Sequence, residues 1–276
     1  MYTMPREYGL AARSKGTERE VIGLIPAAGL ASRLAPLPCS KELYPVGFES
    51  EYSGQQVHPK AVCQYLLEKM RLAGISKAYI ILREGKWDIP AYFGDGSTLG
   101  LPLAYLMMGL PFGAPYTLDQ AYPFVKRAIV ALGFPDILFE PEDAFLQLLA
   151  HQTANEMDVV LGLFPCDQPQ KADMVVVAED GRIERIVIKA QQSDLRYSWG
   201  IAVWTPIFSD FMHQYLAESK EKALHQPELF VGDVFNKAIQ EGIRVEGVFI
   251  SDKPFLDVGT GDDLLKAVRR WSAQVY

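Results

Sequence analysis

Residues 21–33 read VIGLIPAAGLASR. The run from Val21 to Ile25 has no polar member, which predicts a strand buried on both faces, as in a sheet covered by helices on either side. It breaks into Ala27-Ala28-Gly29, then reaches Arg33, and Lys41 follows in SKELYPVG. Small residues at the end of a buried strand let a ligand come close to the backbone, whose N–H groups can face anionic oxygens. Arg33 and Lys41 would add fixed positive charge, which is what a polyphosphate needs. No Gly-Lys-Ser/Thr follows, so this is not a Walker loop. From this loop alone, a tight turn with two solvated cations remains the competing reading.

Working outward, short β-rich runs alternate with helical stretches. Strands are predicted at EVIGLIPA (20–27), KAYIIL (77–82), PLAYLMM (102–108), RAIVALGF (127–134), MDVVLGLF (157–164), SWGIAVWTP (198–206) and RVEGVFI (244–250). Residues 59–74 carry Val62, Leu66, Leu67 and Met70 at helical spacing, with Gly74 placed as a C-cap. A second helix is predicted over 140–152, with acids in its first turn that suit the helix dipole. Others are expected near 206–218, 230–241 and 261–273. Residues 172–190 form two β runs around Glu179-Asp180-Gly181, a hairpin signal. The alternation predicts an α/β, Rossmann-like fold: a mixed, mostly parallel central sheet with helices on both faces and the hairpin as an addition. One domain is expected over 21–276, after a polar leader over 1–20.

The chain has 276 residues, 49% hydrophobic, enough for a substantial core. Its net charge of -7 supplies no basic excess for neutralising nucleic-acid phosphates. No apolar run reaches the roughly 18–20 residues that span a bilayer, and the leader has no signal-peptide core. Cys39, Cys63 and Cys166 are odd in number and far apart, which reads as free thiols in a reducing cytoplasm. The four histidines lack metal-ligand spacing. A homo-oligomeric assembly stays open.

Two acids strengthen the phosphate reading. Asp136 stands just past a buried strand, in IVALGFPDILF, and Asp257 precedes a Gly-Thr-Gly turn that opens a helix, in KPFLDVGTGDDLLKA. Carboxylates at strand ends beside bound phosphates are natural Mg²⁺ ligands, because Mg²⁺ takes one or two carboxylates and completes its shell with water and phosphate. Singly, each also reads as a turn former.

Together these features resemble the sugar-1-phosphate nucleotidylyltransferases, the family of glucose-1-phosphate thymidylyl- and uridylyltransferases. The carriers are PAAGLASRLAPLPCSKELYPVG, HPKAVCQYLLEKMRLAGISKAYIIL, YFGDGSTLGLPLAYLMM, FPDILF, VIKA, SWGIAVWTP and FLDVGTGDDLLKA, in the family's order over about 21–270. The resemblance implies transfer of a nucleotidyl group from an NTP to a sugar-1-phosphate, with pyrophosphate leaving and Mg²⁺ as cofactor. It implies that Arg33 clamps the triphosphate, Lys41 stabilises the α-phosphate and Lys189 holds the sugar's phosphate. Asp136 and Asp257 would hold the metal. Ala27, Ala28 and Gly29 would meet the nucleotide through their backbone, with Gly113 facing the base.

The departures fall at recognition positions. Gly-Thr-Arg becomes Ala31-Ser32-Arg33, and the Ala31 methyl would hinder phosphate approach. Met108 stands where relatives that read uracil or thymine carry Gln, and Met cannot donate and accept in that paired way. Met108 equally reads as core packing. Tyr-Gly becomes Ala172-Asp173, and Glu-Lys-Pro becomes Ile188-Lys189-Ala190. Asp173 reads as a pocket residue or an exposed turn acid. Trp199 is carried on the substrate side, though with Trp204 and Trp271 it also reads as a core or interface aromatic. Two alternatives follow: transfer to a non-sugar phosphate, or a catalytically weak nucleotide-binding regulatory homologue.

Overall fold

A computed structural model describes residues 19–50, 57–109, 112–223 and 228–275. Apart from Arg19 and Glu20, the expected leader lies outside the described residues. In chain order the elements are β1 (Val21–Pro26), β2 (Pro45–Ser50), β3 (Val57–Ala61), α1 (Val62–Leu72), β4 (Lys77–Leu82), α2 (Asp88–Phe93) and β5 (Leu103–Met107). They continue with α3 (Ala114–Asp119), α4 (Tyr122–Val125), β6 (Ile129–Gly133), β7 (Ile137–Leu138), α5 (Ala144–Asn155), β8 (Val159–Pro165), β9 (Met174–Val177) and β10 (Ile183–Val187). The last are β11 (Tyr197–Trp204), α6 (Pro206–Ala223), α7 (Val231–Gln240), β12 (Val245–Phe249), β13 (Leu256–Asp257) and α8 (Gly261–Trp271).

Seven strands form the central sheet in the order β5-β4-β1-β6-β11-β8-β12. Six run the same way, and β11 alone is antiparallel, to both β6 and β8. The β9–β10 hairpin joins the edge of β11 through Ser198 opposite Met174, the addition expected from residues 172–190. Alternate residues of each strand go to opposite faces, as the two-residue period of a strand requires. Ile22, Leu24, Val130 and Leu132 pack with Tyr116, Phe208, Val234 and Phe235 of α3, α6 and α7. Ile25, Ile80 and Ala131 pack on the other face with Leu66, Leu67, Met70, Phe145 and Leu148 of α1 and α5. Gly23 allows α1 this close: a Cβ there would stand 2.8 Å from Met70 Sδ. A third cluster joins Val46, Val62, Tyr65, Leu138, Val258, Ala267 and Trp271, so α8 closes over β2 and the start of α1.

Two helix starts differ from expectation. The first helix begins at Val62, because residues 57–61 pair with β2 in an antiparallel hairpin. The second begins at Ala144, with no acid in its first turn. Pro141 disfavours helix for Glu140 before it, and the acids are engaged elsewhere: Glu140 with Lys253 (3.1 Å) and Arg270 (3.3 Å), and Glu142 with Lys69 (2.6 Å). Gly74 (φ +73°) and Gly181 (φ +87°) take the left-handed conformations their positions called for.

Candidate active site

The parallel strands end on a common edge, and the loops there carry most of the expected residues. Past β1, Ala27 is buried and donates its N–H to Ile81 O at 2.8 Å. Ala28 is half-buried and Gly29 is exposed. A Cβ on Gly29 would meet nothing within 4 Å, so the backbone there is open to an approaching group. Ala31 has φ +51°, the left-handed region that favours glycine. The loop is then tied down twice. Asp88 at the start of α2 accepts from Ser40 N (2.6 Å) and Ser40 Oγ (2.7 Å). Glu42, 1% exposed, accepts from Lys86 Nζ at 2.5 Å.

Between these anchors lies Lys41, which pairs with Asp136. Burial by itself would depress the Lys41 ammonium, but Asp136, Glu42 and Asp257 outweigh it and hold its pKa above the ordinary value. Asp136 and Asp257, distant in sequence, are joined by the ladder between β7 and β13: Asp257 lies opposite Ile137, and Val258 N–H donates to Asp136 O at 2.9 Å. Burial pushes the Asp257 carboxyl up to about 6, the Asp136 charge adds to this, and Lys41 and Arg33 oppose it. The Arg33 guanidinium reaches this corner, with Nη2 3.2 Å from where a Cβ on Gly259 would stand. Beyond it, Thr260 caps α8, accepting from Asp263 N at 3.3 Å.

Asp136 and Asp257 also line a cavity of about 220 Å³ that continues to Asp173, Lys189, Trp199 and Phe230. Lys189 has φ +40° and sets its Nζ 3.9 Å from the centre of the Phe230 ring. Trp199 is 6% exposed and is both a core and a cavity residue, packed on Phe134 and Phe235. Trp204 and Trp271 are core residues. Burial pushes Asp173 up to about 6, with Lys189 drawing it down and Asp233 raising it.

The expected base-side residues lie outside this cavity. Met108 donates its N–H to Leu82 O at 2.7 Å, so it continues the strand-end edge. Its side chain packs against the core, and its sulfur accepts from Thr117 Oγ1 at 3.4 Å. Gly113, at φ +115°, precedes α3, and a Cβ there would come 2.3 Å from Leu229 O. Packing therefore requires glycine at 113. Sequence reading missed Ser40, Glu42, Lys86 and Asp88. Each acts on a partner more than 40 residues away, and no local pattern announces such a pair.

A model of the nucleotidyl transferase family matches residues 22–274. The chain belongs to that family. It is 22% identical over 249 residues to the low-salt glycan biosynthesis nucleotidyltransferase Agl11 of Haloferax volcanii, covering 89% of this chain and 64% of the relative. It is 26% identical over 255 residues to a glucose-1-phosphate thymidylyltransferase of Streptomyces griseus, with the same coverages, 89% and 64%. The chain thus spans slightly under two thirds of the curated relatives it matches. Among solved structures, a protein assigned as a glucose-1-phosphate thymidylyltransferase from Bacillus anthracis, in complex with sucrose, superposes with a TM-score of 0.75 at 20% identity, covering 90% of this chain and 94% of the other. A UDP-glucose pyrophosphorylase complexed with UDP-glucose gives 0.72 at 16%, covering 91% and 97%. Both likenesses bear on the fold of this family member.

Proposed function

We propose that this nucleotidyl transferase moves a nucleotidyl group from an NTP to a sugar-1-phosphate, giving an NDP-sugar and pyrophosphate. The observation that carries the reading is the meeting of Lys41, Asp136, Asp257 and Arg33 at one strand-end corner. That corner opens onto a cavity holding Lys189.

The sugar-phosphate oxygen attacks the α-phosphorus, and pyrophosphate leaves in line. The attacking phosphate is largely ionised near neutral pH, so no general base is needed. The work left to the protein is positioning and charge stabilisation. Lys41, held in its turn by the anchors on either side, faces the α-phosphate. Arg33, exposed and with its guanidinium at the Asp257–Gly259 corner, clamps the β- and γ-phosphates. Lys189 holds the acceptor's phosphate, and the open backbone at Ala28 and Gly29 admits the triphosphate. Base recognition is assigned to the strand-end edge at Met108 and Gly113.

The donor set fits Mg²⁺. Two neighbouring carboxylates repel one another unless a cation lies between them; Asp257 is raised first by burial and then by the Asp136 charge, and a bound cation would relieve both. No group of three or more His, Cys, Asp or Glu gathers for a metal among the described residues. Water and phosphate oxygens would therefore complete the shell around Asp136 and Asp257. When bound, the ion would neutralise phosphate charge. The unpaired cysteines suit a cytoplasmic setting, and no described helix is long and apolar enough to cross a membrane.

The test is a matrix of NTPs against sugar-1-phosphates and non-sugar phosphomonoesters, read by pyrophosphate release, with Lys41→Ala alongside. Release should require both substrates and Mg²⁺. Loss of one preorganised charge costs about 3–4 kcal/mol at the transition state, so Lys41→Ala should be slower by about two orders of magnitude or more. Release with non-sugar phosphates alone would move the acceptor class, and nucleotide binding without release would favour a regulatory homologue.

A further inference from the structure

Asp173 directly precedes β9 and is tucked against the first turn of α7: its Oδ2 lies 2.9 Å from where a Cβ on Gly232 would stand. Its surroundings in the cavity are mostly apolar or aromatic: Phe134, Trp199, Phe230 and Val231. The other two carboxylates of the cavity are engaged, Asp136 by Lys41 and Asp257 within the field of Lys41 and Arg33. Asp173 is not. The nearest cation, Lys189, has its ammonium over the Phe230 ring. The Trp199 indole N–H leans toward the carboxylate but is itself buried without a well-formed hydrogen bond. A carboxylate in such a wall is costly while part of its acceptor capacity lacks a donor, and these donors leave lone pairs over on the cavity side. The cavity joins it to the phosphate corner, so the organic part of a phosphorylated acceptor anchored at Lys189 would lie against Asp173. Trp199 and Phe134 give the cavity an aromatic wall, of the kind the apolar faces of a sugar ring pack against.

We propose that Asp173 reads the acceptor substrate, accepting a hydrogen bond from a ring hydroxyl or amino group and so selecting which sugar phosphate is used. This rests on the reading of the cleft as a nucleotidyl-transfer site. The burial that holds the carboxyl up near 6 leaves it mostly ionised at neutral pH, able to accept from either donor.

The experiment compares the full-length chain with Asp173→Asn and Asp173→Leu over sugar-1-phosphates that differ by one hydroxyl, deoxy or amino group. KM for NTP and for acceptor are measured separately. Losing a hydrogen bond to a charged acceptor should raise the acceptor KM of Asp173→Leu by roughly 10- to 100-fold, with the NTP KM little changed. Asp173→Asn, which keeps an acceptor oxygen, should lose less. One deoxy acceptor should be used almost equally by the unaltered chain and Asp173→Leu, which identifies the group that is read. An unchanged acceptor KM in Asp173→Leu, or the same loss for every acceptor, would overturn the inference. If the unaltered chain releases no pyrophosphate with any acceptor, the transfer reading fails separately. Calorimetric binding of the same sugar phosphates then decides Asp173: weaker binding to Asp173→Leu supports the assignment, and equal binding overturns it.

Discussion

At Asp257, burial and the Asp136 carboxylate both disfavour the charged form, and the folded chain holds the proton up to about pH 6, against 3.8 ordinarily. Because the folded value is raised, the stability contributed by this group is complete below about pH 4 and is lost as pH rises through 6. Asp257→Asn removes that loss. With metal chelated, the variant should gain on the order of 1–3 kcal/mol over the unaltered chain between pH 4 and 7. Urea unfolding at stepped pH measures the difference, and parallel profiles would contradict the assignment. At this scale the sequence was legible where charge follows a buried strand or a small-residue loop: Arg33, Lys41, Asp136 and Asp257 stand out against apolar neighbours. Asp173 read equally as a turn acid, because nothing local to Ala172-Asp173 tells that α7 folds over it.

Among the elements, the short turn 41–43 depends on an internal ion pair. Glu42 and Lys86 are 1% and 8% exposed, and Glu42 Oε2 has no partner. Removing one member strands a buried charge, which typically costs about 3–5 kcal/mol, whereas replacing both with apolar residues is often close to neutral. Lys86→Met should therefore destabilise strongly, and Glu42→Met with Lys86→Met should regain most of the loss in a double-mutant cycle of urea midpoints. Additive losses would mean that the two side chains act independently. The β2–β3 hairpin was illegible for a related reason. Its second strand reads VHPKA, exposed at its first three residues and lacking a two-residue apolar period. The cluster around Tyr65 and Trp271, together with the Lys60–Glu68 pair and the Gln64–Glu49 hydrogen bond to α1, gives it a place. Strands β7 and β13 are two residues each, too short for any pattern, yet they bring Asp136 to Asp257.

For the molecule as a whole, the centre of the sheet was readable because β1, β6 and β8 are buried on both faces and appear as unbroken runs of aliphatic and small residues. The reversal of β11 was not, since an antiparallel strand inside a covered sheet has the same composition as its neighbours. What the sheet achieves is to bring Asp136 and Asp257, beside Lys41, onto the same cavity as Lys189, the arrangement that the proposed joining of two phosphorylated substrates calls for. The most direct measurement of that claim is to follow an NTP labelled at the α-phosphorus through turnover with Mg²⁺ and the preferred sugar-1-phosphate. Label should pass into an NDP-sugar while the released pyrophosphate stays unlabelled. Label recovered as free nucleoside monophosphate, or retained in the NTP while γ-phosphate alone is released, would contradict the account.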